Sequence, residues 1–273
     1  MDFRDCIGLG VVGNFRGHLE QAGEVDEFAS VEVEEDHAPK GLFPTYLPAK
    51  SGQFIEVYPL SADMIARPED GGKIQSEPEV ALLCDLEYHE GKVTSLLPTH
   101  FAAYNDCSIR RPSAGKISER KNWGADSKGI SNQHIEIDSF SPGGIMDNYR
   151  LVCFLRREGV VEAYGVDSPL VEYSYFHERL VNWLVEKMNS QPDEGSLENI
   201  SSLLKKANYP KKALISIGAT RYTDFGEKTY LQAGDESFII VYDSTLHKNP
   251  LDILNHGKDY PEKGVSVLYQ TVR

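Results

Sequence analysis

The sequence predicts a mainly β fold of the α+β class. Segments rich in β-branched and aromatic residues alternate with Gly, Pro, Asp and Asn, which is the pattern of short strands joined by turns. Helical periodicity is clear in two stretches, 168–189 and 196–208, which we predict to be peripheral helices. The predicted strand segments are 54–60, 79–88, 92–104, 133–140, 148–166, 213–222 and 237–246.

The two helical stretches have different supporting features. In the first, one apolar stripe is predicted to pack on the core, and in the second, Ser196 is a plausible N-cap. We divide the chain into an N-terminal segment (1–70), a mixed β-sandwich or β-roll core (71–245) and a C-terminal extension (246–273) that ends in one strand. The stripe consists of Leu180, Trp183, Leu184 and Met188.

Composition excludes several classes of partner. With 273 residues and 40% apolar content, the chain can bury a full core. A formal net charge of −14 argues against nucleic acids and anionic membranes, because repulsion opposes the encounter. No apolar run approaches the roughly 20 residues of a membrane span, and the start "MDFRDCIGLG" lacks the basic region of a secretion signal. We therefore expect a cytoplasmic protein.

Cysteine usage agrees with that compartment. Cys6, Cys84, Cys107 and Cys153 lie far apart and show no paired spacing, so neither a zinc ribbon nor a thioredoxin-like motif is supported. We expect buried, reduced thiols.

The stretch "GLGVVGNFRGHLEQAGE" (8–24) has the glycine spacing of a dinucleotide-binding loop. That loop requires a buried apolar strand before it and a well-packed helix after it. Here the preceding "DFRDCI" is charged, and Gly17 and Gly23 would each cost a helix about 0.8 to 1 kcal/mol relative to Ala. The following "FASVEVEED" alternates like a half-exposed strand instead of being continuously apolar. The pattern therefore disfavours a dinucleotide site.

Three carboxylates form the central candidate site. Glu77 and Glu79 are two residues apart at the start of a strand, so both side chains point to one face. Asp106 follows at the end of another apolar strand. Oxygen ligands without His or Cys suit Mg²⁺, Mn²⁺ or Ca²⁺ better than zinc. The spacing alone is equally compatible with ordinary surface acids.

A resemblance that covers most of the chain favours the metal site. The sequence resembles the fumarylacetoacetate hydrolase (FAH) superfamily, in which a Glu-x-Glu strand, an Asn-Asp-x-Ser-x-Arg turn, a Trp before a catalytic Lys, a glycine-threonine turn and a Leu-x-x-Gly-Asp strand occur in this order. The opening stretch resembles the lid of that family, so residues 13–24 are predicted to form a lid. The matching segments are "SEPEVALL", "AAYNDCSIR", "NWGADSKG" and "ISIGATRYTDFGEKTYLQAGDE".

The resemblance implies a set of functional residues. Glu77, Glu79 and Asp106 would bind a divalent cation, Mg²⁺ or alternatively Mn²⁺ or Ca²⁺. Arg110 and Lys128 would stand beside it, the first to hold a carboxylate and the second to stabilise developing negative charge or donate a proton. The implied substrate is a small anionic 2-oxo acid or 1,3-dicarbonyl acid, and the implied assembly is a homodimer.

His18 is the implied catalytic base, and departures from the family pattern begin beside it. Hydrolytic members pair this His with a Glu three residues later, but this chain has Gln21. On a helix, Gln21 would lie on the same face as His18 and would orient the imidazole without supplying a charge. The usual Arg-Asp-x-Gln after Asp106 is replaced by residues 110–113, and the Pro-Leu-Gly-Pro turn after Lys128 is missing.

Two functions from different classes follow from this combination. The first is a metal-dependent hydrolase or decarboxylase that cleaves a carbon–carbon bond of an acylpyruvate, oxaloacetate or similar acid. The second is a catalytically impaired FAH-fold protein that binds a metal or ligand or acts as a scaffold. Gln21, Ser113 and the missing Pro-Gly turn motivate the second.

Overall fold

The computed structural model describes residues 1–23, 28, 35, 37–110, 115–256, 260 and 263–273. It confirms a mainly β fold with a few helices. The strands are β1 (Ile7–Val12), β2 (Gly41–Tyr46), β3 (Leu60–Ser61), β4 (Met64–Ile65), β5 (Ile74–Gln75), β6 (Pro78–His89), β7 (Lys92–Asn105), β8 (Ser108–Ile109), β9 (Lys128–Ile130), β10 (Ile135–Glu136), β11 (Tyr149–Arg157), β12 (Val160–Pro169), β13 (Lys212–Ser216), β14 (Glu236–Asp243) and β15 (Val265–Val272). The helices are α1 (His18–Ala22), α2 (Ser118–Lys121), α3 (His177–Ser190), α4 (Ile200–Lys206), α5 (Asp224–Lys228) and α6 (Pro250–His256).

The larger sheet is built around the long β6–β7 hairpin. Among the described residues its strand order is β2-β1-β13-β6-β7-β9-β3, and β10 also pairs with β7. The β6–β7 register places Pro78 opposite Asn105 and Glu79 opposite Tyr104. The start of β6 and the end of β7 therefore lie side by side at one end of the sheet. Acidic residues lie in or next to both strand ends.

The second sheet has the order β12-β11-β14-β15-β4. Apolar side chains from both sheets form one large buried cluster, which includes Leu82 and Phe101 from the first sheet and Leu151, Ile239 and Leu268 from the second. The sheets therefore pack face to face, as the apolar alternation of their strands predicts. All four cysteines are unpaired and buried in the described structure.

Both helices predicted from periodicity are present but begin later than predicted. In α3 the whole predicted stripe is buried. The preceding residues instead complete β12 and form a 3₁₀ turn at Leu170–Glu172. Leu170 and Tyr173, which follows the turn, are buried in the core. The N-cap of α4 is Asn199, whose side chain accepts a hydrogen bond from the Ser202 N–H, and not Ser196.

The N-terminal segment is part of both sheets. β1 pairs in parallel with β13 and antiparallel with β2, and β4 pairs with β15, so the larger sheet begins at residue 7 and not near residue 70. Likewise, β15 of the C-terminal extension lies inside the second sheet. Residues 54–60, predicted to be a strand, form a 3₁₀ helix at Phe54–Glu56 followed by the start of β3. The alternating stretch 28–36 lies largely outside the described residues.

The glycines of the 8–13 stretch are explained by close packing and by a turn. Gly8 and Gly10 lie inside β1, where a Cβ would collide with Thr45 and with the Phe43 ring of β2. Gly13 follows the strand with a φ of 72°, a left-handed conformation that favours glycine. The strand is followed by only the five-residue helix α1. This is not the strand–loop–helix unit that holds a dinucleotide. No helix among the described residues has the length and apolar character needed to cross a bilayer.

Candidate metal centre

The three predicted carboxylates lie together at the open end of the β6–β7 hairpin. Glu77 immediately precedes β6, Glu79 lies in it, and Asp106 immediately follows β7. The Asp106 N–H donates a 3.0 Å hydrogen bond to the Glu77 carbonyl, which joins the two strand ends. All three residues are buried, with exposures of 3%, 2% and 0%. They are therefore not the surface acids that the spacing alone allowed.

The donor set fits a hard divalent cation. One carboxylate oxygen from each residue lies within 4.8 Å of the others. Oxygen ligands of one Mg²⁺ or Ca²⁺ lie about 2.0 to 2.6 Å from the ion, so their mutual separations reach about 4 to 5 Å. Both Asp106 carboxylate oxygens and Oε1 of Glu77 are buried without a hydrogen bond of ordinary geometry, although each faces a cation. The described residues thus provide three oxygen ligands that one cation can share.

Lys121, which the sequence analysis missed, lies among these acids. Its ammonium nitrogen is 2.6 Å from Oε2 of Glu77 and 2.5 Å from Oδ2 of Asp106. The side chain is only 6% exposed and lies at the end of α2. In sequence it belongs to the polar run "SERK", which is typical of a solvated helix, so no local pattern marks it as buried.

Arg110 is held close to Glu77. One of its terminal nitrogens is 3.0 Å from Glu77 Oε1, its Nε donates to Gln75 Oε1 at 2.7 Å, and another hydrogen bond reaches the Tyr222 hydroxyl at 3.1 Å. Burial by itself raises the pKa of Glu77, but the charges of Lys121 and Arg110 outweigh it and hold this pKa well below its usual range. Glu77 is therefore an anion held between two cations.

Glu79 has the opposite electrostatic environment. Burial, together with the neighbouring Asp106 and Glu77 charges, raises the pKa of Glu79 well above its usual range. Its Oε2 accepts a 2.9 Å hydrogen bond from the Gly218 N–H, which partly opposes this shift. Without an added positive charge, Glu79 is thus harder to ionise than Glu77.

Lys128 lies on β9 with its side chain completely buried. Its ammonium is 3.3 Å from Oδ1 of Asp106 and donates to the carbonyl of Cys107. The ring of Trp123 lies 5.3 Å away. Burial lowers the pKa of Lys128, and Asp106 partly opposes that shift. The predicted lysine is therefore adjacent to the acidic group, paired with one of its members.

His18 faces the same cavity as the acids. This cavity is lined by His18, Lys121 and the three carboxylates, together with apolar residues that include Phe43. Nδ1 of His18 lies 3.0 Å from the Thr220 carbonyl oxygen, and its ring is 5.2 Å from that of Tyr222. The predicted base and the predicted metal ligands thus share one buried space.

Gln21, predicted to lie beside the imidazole, hydrogen-bonds the main chain of Tyr222. Its amide nitrogen donates to the Tyr222 carbonyl at 3.0 Å, and its Oε1 accepts from the Tyr222 N–H at 2.8 Å. Nδ1 of the His18 ring faces the Thr220 carbonyl. The Gln21 contacts join α1 to the 218–222 turn. The altered residues 111–113 lie outside the described residues.

The fold matches solved structures of the FAH family. One is the yeast protein ynq8, a fumarylacetoacetate hydrolase family protein, with 11% identity, a TM-score of 0.54 and coverage of 99% of this chain and 94% of that one. Another is a 2-keto-3-deoxyarabinonate dehydratase, with 13% identity, a TM-score of 0.57 and coverage of 98% and 73%. A third is Cg1458, with 16% identity, a TM-score of 0.56 and coverage of 97% and 76%. These likenesses confirm the fold that the sequence motifs predicted.

Sequence comparisons give a family match that covers most of the chain. No curated protein matches it. A family model does match residues 24–272, which is most of the chain. The chain therefore has the fold of the fumarylacetoacetate hydrolase family and belongs to the family of unknown function DUF5718.

Proposed function

We propose that the chain is a divalent-metal-dependent hydrolase or decarboxylase that cleaves a carbon–carbon bond in a small 2-oxo or 1,3-dicarbonyl acid. The observation that carries the proposal is the buried group Glu77, Glu79 and Asp106, which shares a cavity with His18 in a fold of the FAH type. Buried acids of this kind persist when a cation and a specific task compensate for their desolvation.

The charges around the cavity suit the proposed chemistry. Cleavage next to a carbonyl leaves an electron pair on an enolate, and a bound divalent ion supplies Lewis-acid stabilisation of that charge. The Lys128 ammonium adds a fixed positive charge on the Asp106 side, in a site from which water is largely excluded. Arg110 holds Glu77 ionised and in place through its three contacts.

His18 can act as the proton acceptor of the hydrolytic reaction. Since the Thr220 carbonyl can only accept, the Nδ1 of His18 carries the proton of their hydrogen bond. In the neutral ring, Nε2 then keeps its lone pair and can take a proton from water. Decarboxylation needs no activated water, so its dependence on His18 should be smaller.

A screen tests the proposal directly. Purified protein is assayed with acylpyruvates and oxaloacetate in Mg²⁺ or Mn²⁺, with and without EDTA, beside Glu79→Gln and the surface control Lys212→Met. Turnover that is lost in EDTA and in Glu79→Gln but retained in Lys212→Met supports the enzyme. Metal binding without turnover of either substrate class would contradict it.

That negative result would favour the second function, a binding or scaffold protein. The observation that favours this alternative is the engagement of Arg110 and Gln21, whose polar groups contact Glu77, Gln75 and the Tyr222 main chain. These contacts hold both side chains within the protein.

A further inference from the structure

Lys121 occupies the position between two of the three proposed ligands. Its ammonium contacts Oε2 of Glu77 and Oδ2 of Asp106, both within 2.6 Å. Arg110 and Lys128 each pair with the other oxygen of one of these acids. All four oxygens of the two carboxylates thus face a protein cation, and Lys121 bridges the pair.

The charges balance formally. Glu77, Glu79 and Asp106 together carry at most three negative charges, and Lys121, Arg110 and Lys128 carry at most three positive ones. The side chains of Lys121 and Asp106 are 6% and 0% exposed, so solvent contributes little to this balance. A divalent ion added to the three acids would therefore encounter a site that protein cations already neutralise.

The backbone around Lys121 is anchored, and its side chain lines the central cavity. The next residue, Asn122, donates to the carbonyls of Thr45 and Val57 at 2.9 and 3.0 Å, which anchors the end of α2. The Lys121 side chain lines the central cavity, and its ammonium lies 5.2 Å from the Phe43 ring. Because a lysine stem is flexible, displacement of the ammonium calls for a side-chain rotation and not for movement of the helix.

We propose that Lys121 is an internal cation that competes with a divalent metal ion for the Glu77–Asp106 side of the site. The inference rests on the metal site of the proposed function. When an ion is absent, Lys121 neutralises the two carboxylates and keeps the site folded. When an ion binds, the ammonium must leave, because two positive centres so close together in a buried site repel each other strongly. Lys121 thereby sets how tightly the site binds metal.

Mn²⁺ titration calorimetry on four proteins tests this competition. The proteins are the wild type, Lys121→Met, Lys121→Arg and the control Lys212→Met, which removes a surface ion pair with Asp85. We expect Lys121→Met to bind Mn²⁺ roughly tenfold or more tightly, because the competing charge is gone. Lys121→Arg should restore weak binding, and Lys212→Met should match the wild type. Lys121→Gln, which keeps hydrogen-bond donors, replaces Lys121→Met if that variant does not fold.

Thermal unfolding in EDTA gives a second measurement that does not require metal. There Lys121→Met should unfold several degrees below Lys212→Met, because Glu77 and Asp106 lose their shared cation. Saturating Mn²⁺ should restore most of that loss.

The possible outcomes separate this inference from the proposed function. Unchanged or weaker Mn²⁺ binding by folded Lys121→Met overturns the competition, and metal-dependent turnover by the wild type would still support the enzyme. Absence of Mn²⁺ binding in every variant overturns both.

Discussion

Nδ1 of His18 lies 3.0 Å from the carbonyl oxygen of Thr220, so a main-chain acceptor sets the tautomer of the buried imidazole. The carbonyl itself carries no full negative charge, so the charge that stabilises an imidazolium here comes from acids of the cavity such as Glu77. The orienting group also lies on the 218–222 turn, whose Gly218 N–H contacts Glu79. One turn therefore positions both the proposed base and a proposed ligand.

We expect His18→Ala to reduce acylpyruvate hydrolysis by on the order of 100-fold or more, because a positioned general base is lost. Oxaloacetate decarboxylation should fall less. Steady-state rates for both substrates at fixed Mg²⁺ measure the difference, and Mn²⁺ affinity serves as the control for an intact site. An equal loss of both activities would argue against a role in activating water.

Gln21→Glu is expected to lower the free energy of unfolding by about 1 to 3 kcal/mol. Glutamate cannot donate to the Tyr222 carbonyl, and it adds a negative charge near Glu227, whose carboxylate is 3.4 Å from the Gln21 amide nitrogen. Urea unfolding of Gln21→Glu, Glu227→Gln and the double variant measures both effects, since the double variant should recover the repulsive part. Full stability in Gln21→Glu would show that these main-chain contacts are unimportant.

Glu79→Gln should weaken Mn²⁺ binding roughly 100-fold or more, because one of three anionic ligands is lost. The amide oxygen can still accept from the Gly218 N–H, so the local hydrogen bond survives. Since burial and neighbouring acids raise the pKa of Glu79, the substitution costs the ion-free protein little. Calorimetry measures the Mn²⁺ affinity, and the melting temperature in EDTA measures the stability of the ion-free protein. Unchanged Mn²⁺ affinity would exclude Glu79 as a ligand.

Lys128→Met is expected to reduce turnover by roughly 100-fold, the usual effect of removing one preorganised electrostatic contact. Lys128 pairs with Asp106 from a fully buried position, so its charge acts in a low-dielectric environment. Its effect on Mn²⁺ affinity should be much smaller than its effect on turnover. Wild-type activity in the folded variant would assign Lys128 a purely structural role.

The local motifs predicted the acidic site well. Glu77 and Glu79 lie at a strand start and Asp106 at the end of its hairpin partner, so short-range pattern and strand pairing together determine their proximity. Lys121 could not be found this way, because its burial depends on contacts with residues 44 and 15 positions away in the chain. A polar four-residue helix carries no periodic information about what covers it.

The same dependence on contacts between distant residues explains the errors in the predicted fold. The predicted helix begins at residue 168, but Leu170 and Tyr173 pack into the core at a 3₁₀ turn after β12, before α3 begins. The predicted division at residue 70 separates β1 from the core, although β1 pairs with β13, some 200 residues later. Long-range parallel pairing of this kind leaves no local signature.

Glu198 should give the protein a pH-dependent stability that is independent of the metal site. Burial raises the pKa of Glu198 to about 7, and Ser118 and Lys116 only partly oppose this shift, while Asp193 adds to it. The folded protein therefore retains this proton between about pH 4.5, where the unfolded chain releases it, and about pH 7. Because the folded state binds more protons in this window, stability falls as the pH rises through it.

Glu198→Gln should remove this dependence and stabilise the protein by about 1 to 3 kcal/mol at pH 8 relative to the wild type, with little difference at pH 4.5. Urea unfolding at both pH values, in EDTA, measures the change without interference from metal binding. The exposed Glu162→Gln serves as a control for loss of one surface charge. A pH profile for Glu198→Gln that parallels the wild type would show that Glu198 is ionised in the folded protein, since a neutral amide in its place can change the profile only by removing a titration.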